Sequence, residues 1–142
     1  MLDDKYELQR FLDAQENSYT IALEELKEGR KRSHWIWYIF PQLKGLGRSY
    51  NSNFYGISGI EEATAYLEHP VLGSRLREIS ETILALDDTD AVSIFGGIDA
   101  RKLRSSMTLF DMVSPNDVFA RVLDKYFSGK RDSCTLRRII NS

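Results

Sequence analysis

Apolar residues recur along most of this chain at helical spacing. Leu8, Phe11, Leu12, Tyr19, Leu23 and Leu26 form the first stripe, and Gly29 stands where a helix C-terminus favours glycine. Asn17 and Ser18 interrupt that stripe and divide it into two helices. Ser58-Gly-Ile-Glu61 matches a capping box opening a helix that runs to about His69. Pro70 suits the first turn of the next helix, whose Leu72, Leu76, Ile79, Ile83 and Leu86 step by three and four along one face. His69 is expected at the junction, donating to a carbonyl.

After the polar break at 87–90, Asp90 is expected to cap a short helical turn ending at Gly96-Gly97. Asp99 is expected to cap another helix, with Leu103, Met107 and Phe110 on one side. Ser114-Pro-Asn-Asp117 reads as a further start, with serine at the cap and proline in the first turn. Val118, Phe119, Val122, Leu123 and Tyr126 are its core stripe and Gly129 its end. Asp132 opens a terminal helix carrying Leu136, Ile139 and Ile140. No alternating pair of strands with a tight hairpin turn is present. Trp35 to Phe40 has the β-branched and aromatic content of a buried strand, but it has no partner strand. It is therefore assigned as a short buried helix capped by Ser33 and stopped before Pro41. The expected fold is all-α, one compact domain of about six to eight helices spanning 1–142.

Composition narrows the function classes. Hydrophobic residues make up 42% and charged residues 28% of the 142 positions, a soluble globular mixture rather than a disordered one. The longest apolar run falls far short of the roughly 20 residues that span a bilayer. The N-terminus lacks the basic region and apolar block of a secretory signal, so the expected location is cytoplasmic, away from membranes. Nineteen Lys and Arg against 21 Asp and Glu leave a net charge of −2, which speaks against nucleic acid as the partner. The single cysteine, Cys134, precludes an internal disulfide, and with two dispersed histidines no metal spacing is legible. No cofactor is indicated.

Lys31-Arg-Ser-His-Trp-Ile-Trp-Tyr-Ile-Phe-Pro-Gln42 is a distinctive block. With Gly45-Leu-Gly-Arg-Ser49, Phe54-Tyr-Gly-Ile57, His69-Pro-Val-Leu-Gly73 and Lys102-Leu-Arg-Ser-Ser-Met-Thr-Leu-Phe110, it resembles the domain of unknown function 1810 family. The ordered set of blocks makes the resemblance specific over about 11–127, leaving 128–142 as a C-terminal helical tail. The resemblance implies a single multihelical domain, mostly bacterial, and no established activity or catalytic residue.

Two clusters carry candidate chemistry. Helix N-termini favour anions and mildly penalise cations, yet Lys31 and His34 flank one expected start and Lys102 follows another. An anionic ligand would resolve that conflict. Ser33, Trp35, Trp37 and Gln42 accompany the first cluster, and the hydroxyls of Ser105 and Ser106 accompany the second. Arg48 and Ser49 lie in a glycine-bearing loop that permits close backbone approach to a phosphate, and Tyr55 follows nearby. The expected site is thus a Trp/basic/hydroxyl pocket made by Lys31, Ser33, His34, Trp35, Trp37, Gln42, Arg48, Ser49, Tyr55, Lys102, Ser105 and Ser106. Its ligand would be small, anionic and nucleotide- or phosphate-like.

That pocket requires the 31–42 and 102–108 segments to meet in the fold. Helical geometry sets Trp35 and Trp37 about 200° apart, so only one of them faces the core centre. The structural reading of the same residues is solvated cations, packed tryptophans and hydroxyls bonded back to their own helix. The alternative function is a protein–protein interaction module using Trp35, Trp37, Tyr50 and Tyr55 as exposed anchors.

Overall fold

The computed structural model describes residues 4–141, so residues 1–3 and 142 of the expected 1–142 domain lie outside the described residues. Ten helices are present among them: α1 (Gln9–Gln15), α2 (Tyr19–Lys27), α3 (Ile36–Ile39), α4 (Tyr50–Phe54), α5 (Ile60–Glu68), α6 (Leu72–Leu84), α7 (Ala91–Phe95), α8 (Gly97–Val113), α9 (Val118–Phe127) and α10 (Ser133–Ile140). The all-α expectation holds, but six to eight helices was too few. Of the short helices, α3 and α7 answer the expected helix at 35–40 and the turn at 90–96, whereas α4 was not expected. Helices of four or five residues do not nucleate on their own propensity and leave little periodic signal.

Helix α8 is the axis of the molecule and packs against α3, α5, α7, α9 and α10. Leu103, Met107, Leu109 and Phe110 are buried, and so are Ser105, Ser106, Thr108 and Asp111. A helix enclosed on most sides must satisfy its polar groups internally. The Ser105 and Thr108 hydroxyls do so by donating to the carbonyls of Arg101 (3.1 Å) and Arg104 (2.8 Å) one turn back. Helices α6 and α9 join the core through the predicted stripes Leu72, Leu76, Ile79, Ile83 and Val118, Phe119, Val122, Leu123, all buried. Lys125 of α9 donates to the carbonyls of Leu84 and Leu86, answering orphan acceptors at the end of α6.

Several caps differ from expectation. Helix α8 starts directly after Gly96, which also ends α7, so Asp99 lies inside the first turn instead of capping it. Helix α9 starts at Val118 with Asp117 as its cap, and Ser114 donates its hydroxyl to that same carboxylate (2.8 Å). Helix α5 begins at Ile60, and Ser58, outside it, donates its backbone N–H to Glu62 (3.0 Å). His69 accepts rather than donates: its Nδ1 takes the N–H groups of Val71 and Leu72 at the entry to α6. Asp90 and Asp132 cap α7 and α10 as expected.

Two further features shape the surface. Segments 42–44 and 56–58 run side by side: the Lys44 N–H donates to Ile57 O (2.8 Å) and the Ile57 N–H to Gln42 O (2.9 Å). Helix α10 is pinned to α8 by the Asp132 N–H on the Thr108 hydroxyl (2.9 Å) and by Arg104 on the carbonyls of Lys130 and Arg131. No helix of the described residues is long and apolar enough to cross a membrane.

Candidate functional site

The 31–42 segment is organised by a carboxylate that its own sequence does not contain. Glu25, buried on α2, accepts the backbone N–H groups of Arg32 (2.8 Å) and Ser33 (3.0 Å), the Ser33 hydroxyl (2.5 Å) and the Trp35 indole N–H (2.9 Å). Burial works to raise its pKa. The Ser33 hydroxyl, the two backbone donors and the indole overcome that and bring it down to about 2. Ser33 is therefore engaged by Glu25 and does not cap α3, where Trp35 takes the cap position without a side-chain capping bond to the helix. Trp35 is 1% exposed. Trp37 is half-buried, so one tryptophan of the two is fully enclosed, as expected, although Trp35 stands outside the helix with a non-helical backbone, and the bond to Glu25, not helical spacing, sets its direction.

The two basic segments do meet, around an internal anion. Lys31 Nζ lies 2.8 Å from one Asp99 carboxylate oxygen, and Lys102 Nζ lies 3.9 Å from the other. Lys31 also donates to Ser33 O and sits 4.9 Å above the Trp35 ring; Lys102 sits 5.1 Å above the Trp37 ring. Asp99 thus answers, from within the chain, much of the positive charge that suggested a ligand. Two polar atoms here are buried without a partner, Trp37 Nε1 and Ser106 Oγ.

The remaining expected residues are placed elsewhere. Ser105 is satisfied within α8. His34 is exposed and Gln42 buried, with the Gln42 carbonyl engaged by Ile57. Ser49 caps α4, accepting from Ser52 N (3.1 Å), and Arg48 beside it is exposed. Tyr55 packs with Phe11, Tyr38 and Phe54. None of Arg48, Ser49 and Tyr55 makes a hydrogen bond or ring contact with the Lys31–Asp99–Lys102 cluster.

An open concavity lies away from this cluster. A cleft of about 410 Å³ separates the paired 43–44 and 58–59 segments from the C-terminal half of α10, with Lys44, Ser58, Arg137, Arg138 and Asn141 among its walls. Lys44, Arg137 and Arg138 are exposed and form no ion pair with any described residue, and among the described residues no carboxylate lines the cleft. The nearby Glu62 is already neutralised by Arg10 (2.7 Å). A chain of net charge −2 therefore carries a local surplus of three positive charges.

Two glycines seat these cations. Gly45 has φ +95°, and a Cβ there would sit 2.1 Å from Arg138 Nη2, so the guanidinium occupies space that a side chain would fill. At Gly56 a Cβ would come within 2.6 Å of Lys44 Cα, which is what lets the 42–44 and 56–58 segments close on each other. Sequence reading missed Lys44, Ser58, Arg137, Arg138 and Asn141. The available signal was the Arg137-Arg138 pair, which also reads as an ordinary complement to the α10 dipole. Among the described residues no group of three or more His, Cys, Asp or Glu side chains is placed to hold a metal ion.

Fold and cleft together define an all-helical domain with a basic concavity beneath its last helix. The chain belongs to the family described as Protein of unknown function (DUF1810), whose model matches residues 5–139 and so takes in most of α10. It is similar to the crystal structure of the conserved hypothetical protein Rv1873 from Mycobacterium tuberculosis, at 44% identity over 96% of this chain and 99% of that one, with a TM-score of 0.94. No curated protein matches this chain.

Proposed function

We propose that this protein binds a small anionic, phosphate-bearing ligand in the cleft between Lys44 and α10. The observation that carries this reading is the surplus of positive charge: three cations around one concavity with no acid among its described lining residues. Like charges held together destabilise one another, and an entering phosphate relieves that repulsion while accepting charge-assisted bonds of about 1.5–3 kcal/mol each. Ser58 adds a hydroxyl and Asn141 an amide to the same wall. Arginine suits the role because its planar fork grips two phosphate oxygens at once.

The test is a thermal-unfolding titration with inorganic phosphate at low ionic strength, comparing the native chain with Arg138→Ala and Lys44→Ala. Phosphate should raise the native midpoint and should lose most of that effect in either variant, because a ligand that binds only the folded state stabilises it. A native midpoint indifferent to phosphate, or an unchanged response in both variants, sinks the reading. A second reading keeps the ligand near Trp37, on the strength of the unpartnered Trp37 Nε1 and Ser106 Oγ beside Lys102. Lys102→Ala distinguishes the two, since it should leave the cleft's phosphate response intact.

A further inference from the structure

We infer that the ligand is a nucleoside phosphate, its phosphate held by Lys44 and Arg138 and its base packed on Phe54; this rests on the anion-binding reading above. A second depression, of about 260 Å³, adjoins the cleft and shares Lys44 and Ser58 with it. Phe54 and Asn53 form part of its wall. Phe54 is 44% exposed and Tyr50, one turn earlier on α4, is 76% exposed; their rings stack at 5.7 Å and 13°. Two large aromatic rings left in water beside a basic cleft offer a stacking surface to any aromatic ligand.

The two depressions differ in charge, which orients the ligand. Arg10 in the second one is already engaged by the carbonyls of Phe54, Tyr6 and Gly56 and by Glu62, so it has no call on a phosphate. Lys5 and Glu7 there offset each other. Lys44 stands between the two, and Arg137 and Arg138 line the first depression alone, so that one takes the anion and the mixed, aromatic one takes the base. Asn53 donates its amide N–H to Ser49 O (3.1 Å), leaving Oδ1 to accept from a base amino group.

Isothermal titration of the full chain with adenosine 5′-monophosphate, ribose 5-phosphate and inorganic phosphate tests this. Adenosine 5′-monophosphate should bind about tenfold more tightly than ribose 5-phosphate, since the two differ by the base. Phe54→Leu, which keeps apolar bulk but removes the ring, should erase that advantage and leave ribose 5-phosphate binding unchanged. Arg138→Ala should weaken both about tenfold or more. Equal binding of the two by the native chain, or an advantage that survives Phe54→Leu, overturns the inference while anion binding stands. The native comparison needs no variant, so a folding defect in Phe54→Leu does not shield the inference. Failure of all three probes to bind removes the anion-binding reading and this inference with it.

Discussion

Replacing Glu25 by Gln should expose how much of the 31–42 segment depends on one carboxylate. The side chain keeps its size but loses its charge, and its new amide N–H₂ is turned toward donors instead of accepting from them. In the folded protein Glu25 titrates at about 2, against an ordinary 4.5. At about 1.4 kcal/mol per pH unit, that difference amounts to about 3 kcal/mol, reduced to about 2–3 by residual solvent screening. The sign follows from the depressed folded-state value. Stabilisation is complete above about pH 4.5 and is lost as pH falls toward 2. At pH 3 about two-fifths of it remains. Urea unfolding should therefore show Glu25→Gln about 2–3 kcal/mol less stable than the native chain at pH 7. The gap should narrow by about 1–2 kcal/mol at pH 3 with the urea dependence unchanged. A gap of the same size at both pH values, or none at pH 7, would refute the reasoning.

Two further outcomes follow from the Lys31–Asp99–Lys102 cluster. Lys31→Ala should cost about 1–3 kcal/mol, because it strips a half-buried carboxylate of its 2.8 Å partner, whereas Lys102→Ala removes only a 3.9 Å pair and should cost less than about 1 kcal/mol. Denaturant midpoints in the reverse order would show that Lys102, not Lys31, neutralises Asp99. Ser106→Ala should be neutral or stabilising by up to about 1 kcal/mol, since it deletes a buried hydroxyl that has no partner. A loss above about 1 kcal/mol in the same assay would reveal an ordered water or ligand bonded to that hydroxyl.

Where the chain alone sufficed, the signal was local. The stripes of α6 and α9, the break at Asn17 and Ser18, and the caps Asp90 and Asp132 each depend on residues within a turn or two of one another. Periodicity and capping chemistry are written in short windows, so they survive without knowledge of the fold. The meeting of the 31–42 and 102–108 segments was also foreseeable, since both carried polar groups where a plain core would be apolar. What their charges would do was not. Whether Lys31 awaits a ligand or is already neutralised depends on Asp99, brought to it by the packing of α8. The same holds for Glu25, whose donors arrive from the following segment. The cleft is assembled from residues 43–44, residues 58–59 and α10, and it exists only because the 42–44 and 56–58 segments pair and α10 docks on α8. Charge compensation and concavity are properties of pairs and triples of distant residues. Tertiary packing alone decides them.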